Sequence, residues 1–133
     1  MPKSQATRAR RRYAIAQTRR WGVILVGGER IRLRSLTRLV CGGERPKQFC
    51  PIFGVRTLLE QTRLRVARII PPARTLFAVM RAHEDFYLRD LGHVSGQRIV
   101  QPSNKGTAPP IIYSLLRIAL MNPEAISGKY NAE

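Results

Sequence analysis

The chain has 133 residues and carries 24 Lys and Arg against 8 Asp and Glu, a formal net charge of +16. That length predicts one domain and leaves no room for two independent cores. With 44% hydrophobic residues, wholesale disorder is excluded. The longest uncharged apolar runs, Gly22–Gly28 and Ala108–Tyr113, fall far short of the roughly 20 residues of a membrane-spanning helix, so no membrane partner is expected.

The charge is concentrated at the start. Residues 1–20 hold Lys3, Arg8, Arg10, Arg11, Arg12, Arg19 and Arg20 and no carboxylate. This composition predicts a solvated basic tail without fixed structure over residues 1–20, ahead of a domain at 21–133. Such a tail attracts polyanions non-specifically at low salt, because each neutralised phosphate releases counterions. No zinc-finger spacing, heptad array or RNP-like aromatic pattern accompanies it, so selective nucleic-acid recognition is not indicated. Tyr13–Ala16 is too short for the apolar stretch of a secretory signal. Cys41 and Cys50 lack a CxxC partner pattern and read as free thiols of a reducing compartment, which makes the cytoplasm the default location. His83 and His93 show no metal-ligand spacing.

Beyond the tail, Trp21–Val26 is a short run rich in β-branched residues that stops at Gly27-Gly28. It predicts a strand buried on both faces, as in a parallel sheet. Glu29–Gln48 is polar and basic and reads as a long loop, a length at which loops are functional or mobile. From Thr57 the period changes: Leu58, Leu59, Thr62, Val66 and Ile69 share a helical face until Pro71-Pro72. Thr75–Met80 predicts a second strand, Ala82–Leu91 a short helix, and Arg98–Val100 a third strand followed by a loop over Gln101–Gly106. Ala108–Leu120 predicts a helix with prolines in its first turn and a core face of Ile111, Ile112, Leu115, Leu116 and Ala119. Phe49, Cys50 and Phe53 read as packing residues. Alternating strands and helices point to an α/β fold with a parallel sheet. The segment from Met121 onward ends where a fourth strand should begin, so the domain is expected to be incomplete at its C-terminus.

In an open α/β sheet, ligands sit at the carboxyl ends of the strands. The loop after the first strand supplies glycines for close approach of a phosphate and cations in Arg30, Arg32, Arg34 and Arg38, with Lys47 returning in PKQF. Cations so placed stabilise the charge that builds on an attacked α-phosphate and a departing pyrophosphate. A dinucleotide-dependent dehydrogenase is excluded, because GxGxxG is absent and no acidic residue ends a second strand.

The run VILVGGERIRLRSLTR, then RPKQFCPIFG, TLLEQT and QPSNKGTAP, resembles the start of the sugar-phosphate nucleotidyltransferase family, over roughly Trp21 to Pro123. PKQF and GTAP resemble its mannose-1-phosphate guanylyltransferase branch. The resemblance implies a Rossmann-like nucleotidyltransferase fold, three-layer α/β/α with a mostly parallel sheet, here truncated. It implies that a sugar 1-phosphate oxygen attacks the α-phosphate of a nucleoside triphosphate, GTP in this branch, giving a nucleotide sugar and pyrophosphate. Carried over by position, Gly27 and Gly28 are the phosphate-loop glycines, Arg32 holds the triphosphate, and Lys47 faces the reacting phosphates. Gln101 and Gly106 fall where the family reads the base, with Asn104 and Thr107 beside them. The chain departs from the family loop GGxGTRLxPL at Arg30, Ile31 and Ser35. Arg30 puts a large side chain where the backbone should approach a phosphate. Mg2+ is the family's cofactor, and its aspartate belongs on the strand after the Ala108 helix, which the chain is expected not to reach. The 133 residues are therefore expected to be inactive alone. The alternative is a non-catalytic remnant that binds nucleotides or polyanions.

Overall fold

The computed structural model describes residues 3–27, 34–94 and 96–131. Helix α1 (Lys3–Arg19) runs directly into strand β1 (Arg20–Val26), and helix α2 (Arg34–Cys41) follows. Then come α3 (Leu58–Ala67), β2 (Thr75–Met80), α4 (Glu84–Leu91), β3 (Gln97–Gln101), α5 (Ala108–Met121) and β4 (Ile126–Asn131). Single 3-10 turns lie at Lys47–Phe49, Pro72–Arg74 and Arg81–His83.

The sheet has the order β3-β2-β1-β4, and every pairing is parallel. β1 is therefore central, and all of Trp21–Val26 is buried. Its side chains alternate between two cores, as the period of two in a strand requires. Trp21, Val23 and Leu25 join Leu76, Ala78 and Ile99 beneath Ile118 of α5. Ile24 and Val26 join Phe77, Val79 and Phe49 beneath Leu59 and Val66 of α3 and Tyr87 and Leu91 of α4. Helices thus cover both faces, which gives the three-layer α/β/α arrangement. From β1 the chain steps outward to β2 and β3, then α5 carries it across the opposite face to β4. The order reverses between β1 and β4, and ligands of open α/β sheets bind at such a switch point.

Four expectations from the sequence are corrected. The chain does reach a fourth strand: Ile126–Asn131 pairs with β1 from Arg20↔Ile126 to Leu25↔Asn131. Its Ser-Gly-Lys composition hides it, because it lacks the apolar run that marks β1. The basic segment is helical over Lys3–Arg19 rather than irregular. Ala, Arg and Gln are strong helix formers and no glycine interrupts them. Residues Arg34–Cys41 form a helix inside the expected loop, with Thr37 buried and Leu39 84% exposed. Finally, α5 packs through Pro110, Ser114 and Ile118, with Ile111 alongside, whereas Ile112, Leu115 and Leu116 are exposed. One helix lying across a sheet meets it along a narrow i, i+4, i+8 stripe, so most of its apolar arc has no contact. Two smaller differences concern Ile69, which is exposed while Ile70 fills the core, and Phe53, which is 76% exposed.

α3 starts at a capping box. The Thr57 hydroxyl accepts from the Glu60 amide at 3.2 Å, and the Glu60 carboxylate accepts from the Thr57 amide at 3.2 Å. The same hydroxyl donates to Asp90 Oδ2 at 2.7 Å, which ties α3 to α4. Arg19 and Glu124 form an exposed ion pair of 2.8 Å between the end of α1 and the approach to β4. Among the described residues, no helix is long and apolar enough to cross a membrane.

Candidate functional site

Extending the strand register by one residue past Val26↔Val79 sets Gly27 beside Met80, and Met80 is paired with Gln101. Gly27, Met80 and Gln101 therefore form a row across the carboxyl ends of β1, β2 and β3. Alternation places the row on the face that α5 covers, one step beyond Leu25, Ala78 and Ile99. A Cβ built on Gly27 would lie 3.6 Å from Met80 Cγ and 3.8 Å from Gln101 Nε2. The Gln101 amide thus reaches across the end of β2 to the residue that leaves the central strand. With hydrogen at position 27, the space beside that amide stays open.

The loop after β3 is locally determined. Asn104 Oδ1 accepts from the Gly106 amide at 3.0 Å, a side-chain turn that suits an Asn two residues upstream. Gly106 has φ +86°, a region costly for any residue with a Cβ. Thr107 precedes α5, and its carbonyl accepts from the Ile111 amide at 3.4 Å, but its hydroxyl makes no capping bond. Pro109 and Pro110 occupy the first turn of α5, where missing amide donors are harmless. Between β3, this loop and α5 lies a cavity of about 480 Å³, with Gln101 at one end.

Lys47 belongs to a different element. It opens the Lys47–Phe49 turn, whose Phe49 fills the core under α3 and α4 and stacks on Phe86 with ring centroids 5.5 Å apart. Arg45 lies over the Phe86 ring at 5.8 Å and donates to the Phe49 carbonyl at 3.5 Å. Lys47 itself is half-buried. The structure brings Gly27 and Gln101 together, and holds Asn104, Gly106 and Thr107 in the adjoining loop. Gly28 and Arg32 lie outside the described residues.

Sequence reasoning missed Gln48. It is 2% exposed, and among the described residues its Nε2 has no hydrogen-bond partner. An orphaned buried amide costs about 1–3 kcal/mol, so its retention next to Lys47 marks a donor that lacks its acceptor. Only its place in PKQF could have pointed to it.

The two thiols meet. Burial, and then a side-chain hydrogen bond with Cys41, push the Cys50 thiol up to about 12. Cys50 also donates to the Arg45 carbonyl at 3.7 Å. The thiol is thereby kept protonated as packing, in keeping with a structural cysteine.

For Mg2+ the described residues are a poor fit. The strand-end row offers one amide oxygen and no carboxylate, and among the described residues no three His, Cys, Asp or Glu converge. The chemistry considered below is therefore that of the chain's own residues.

No family model matches the chain. It is 30% identical over 109 residues to mannose-1-phosphate guanylyltransferase 2 of Escherichia coli O157:H7, a match covering 77% of this chain and 21% of that protein. Its fold is similar to the crystal structure of mannose-1-phosphate geranyltransferase from Thermus thermophilus, with a TM-score of 0.67 and 27% identity, over 86% of this chain and 32% of that one. The chain thus spans about a fifth of the curated relative and about a third of the solved one. Likeness in sequence and likeness in fold agree, and the chain belongs to the nucleotidyltransferase family of these sugar-phosphate enzymes.

Proposed function

We propose that the chain is the nucleotide-binding portion of an enzyme that joins a nucleoside triphosphate to a sugar 1-phosphate with release of pyrophosphate. GTP and mannose 1-phosphate are the expected pair. The relatives' names support the substrates. One structural observation carries the reading: Gln101 Nε2 stands beside Gly27 at the end of the central strand, next to the switch point between β1 and β4.

In this reading Gly27 and Gly28 let the backbone approach the triphosphate, and Arg32 and Lys47 supply positive charge to it. Gln101 reads the base edge through its amide, a group that both donates and accepts. Gly106 lets the loop turn close to the base, Asn104 fixes that turn, and Thr107 offers its uncapped hydroxyl. A sugar-phosphate oxygen then attacks the α-phosphorus, the new P–O bond forms, and the bond to pyrophosphate breaks. Fixed cations stabilise the charge that gathers on the leaving group.

A second reading has its own support. Helix α1 is strongly basic and exposed, and the described strand ends hold no carboxylate for a metal. A non-catalytic binder of nucleotides or polyanions needs nothing more. Incubation of the chain with GTP, mannose 1-phosphate and Mg2+, followed by pyrophosphate measurement, separates the two. Turnover supports the transferase outright; without turnover, GTP binding that prefers guanine at fixed salt supports its nucleotide-binding portion, and base-indifferent binding that falls steeply with salt supports the polyanion binder.

A further inference from the structure

We propose that helix α1 is a docking surface for duplex DNA, seated in the major groove through Arg8, Arg10, Arg11 and Arg12 without reading sequence. This goes beyond the attraction of a basic chain for polyanions, because it depends on the helix. At about 100° per residue, Arg10, Arg11 and Arg12 fan across about 200° of the helix surface. Arg8 lies one turn from Arg12 on the same flank. Arg8 and Arg12 therefore take one side, Arg10 the other, and Arg11 lies between. The arc facing away carries no charge, and Ala6, Ala9 and Tyr13 lie on it.

The fan is open to a partner. Every residue from Arg8 to Ala14 is exposed. α1 contains no acidic residue, and among the described residues none of the four guanidiniums meets a carboxylate. At the base of the helix, the Arg19–Glu124 pair ties it to the approach to β4. An α-helix with its side chains is about 10–12 Å across, and the major groove of B-form DNA is about 12 Å wide. Cations on both flanks of one helix can then meet the phosphates of both strands. A lipid surface fits less well, because an interfacial helix needs a broad face of large apolar residues, which this arc of small and polar side chains does not provide. The surface is also remote from the nucleotide row: α1 enters β1 at its amino end, and Gly27 leaves at its carboxyl end, about 20 Å away.

The test is fluorescence anisotropy of the whole chain with a labelled DNA duplex of about two helical turns, at low and moderate salt. Arg8→Gln, Arg11→Gln and Arg12→Gln combined remove three charges from the fan. Arg56→Gln, Arg68→Gln and Arg89→Gln combined remove three exposed charges elsewhere. Ala9→Pro keeps every charge and breaks the helix. Thermal melts confirm that the sheet domain folds in each variant. The expected result is at least a tenfold loss in the α1 triple variant, with a shallower salt dependence, and at least a fivefold loss in Ala9→Pro. The α3–α4 triple variant and Gly27→Val should bind within about threefold of wild type, while Gly27→Val weakens GTP binding in a parallel titration. Wild-type binding by Ala9→Pro, or equal losses in the two triple variants, overturns the helical surface and leaves net charge alone. Single-stranded DNA that binds as tightly as the duplex overturns groove docking. Anionic vesicles or polyglutamate that bind more tightly than the duplex, with loss in the α1 triple variant, overturn the nucleic-acid class. Duplex binding lost in Gly27→Val overturns the separation of the two sites.

Discussion

The side-chain amide of Gln101 lies 3.8 Å from the point where a Cβ on Gly27 would sit, although the two residues belong to strands separated by β2. That distance is ordinary van der Waals contact, as is the 3.6 Å to Met80. A methyl therefore fits and a branched side chain does not. Gly27→Ala is expected to leave stability within about 0.5 kcal/mol. Gly27→Val is expected to displace the Gln101 amide and weaken GTP binding at least tenfold while the melt stays cooperative. Calorimetry and a thermal melt on the two variants check this.

Thr57 serves two partners at once, the first turn of α3 and Asp90 on α4. Loss of a capping residue costs about 1 kcal/mol, and the hydrogen bond to a charged group adds a comparable amount. Thr57→Ala is expected to lose about 2 kcal/mol in denaturant titration. Thr57→Ser, which keeps the hydroxyl, should recover most of it.

Asp90 gives a pH dependence of definite sign. Burial raises its pKa above the ordinary carboxyl value, Glu60 raises it further, and the Thr57 hydrogen bond and the Arg45 and Arg63 charges only partly offset this. In the window above the ordinary value the folded chain binds more protons than the unfolded one, so this group's contribution favours folding as pH falls. At neutral pH the ionised Asp90 is a cost. Asp90→Asn, whose amide oxygen still accepts from Thr57, should melt higher than wild type at pH 7. The gap should close toward about pH 4, where the wild-type carboxyl takes up its proton.

Much of this architecture was readable beforehand, for physical reasons. β1 and β2 announce themselves because a strand buried on both faces must be apolar at nearly every position, as Trp21–Val26 and Thr75–Met80 are. α3 was visible through the change of period at Thr57 and the prolines that follow, whereas the Glu60 half of its capping box emerged only in the structure. β4 was not, because Ile126–Asn131 is held by its ladder to β1 and carries no apolar run of its own. The packing face of α5 was misread because its apolar arc is wider than the stripe that touches the sheet, so periodicity could not tell Ser114 from Leu115. At the site, Gly27 and Gln101 could be named from the sequence, but Met80 between them reads as ordinary core. Gln48 was invisible, since an unpaired amide is a fact of packing.

That orphaned amide makes a further prediction. Gln48→Met keeps the volume and removes the unpartnered donor, so the chain should gain about 1 kcal/mol in denaturant unfolding. If the Gln48 amide donates to a bound phosphate, the same variant should bind GTP more weakly even as it becomes more stable. A variant that loses stability would show that the amide already has its partner.

The most direct test of the central claim is a titration of the whole chain with GTP and ATP at low and moderate salt, repeated with Gln101→Ala. A nucleotide read at the strand ends by Gln101 predicts tighter binding of GTP than ATP at both salts, with that preference abolished in Gln101→Ala. Equal affinity for the two nucleotides, falling steeply with salt and indifferent to the substitution, would contradict it and leave only the attraction of a +16 chain for polyanions.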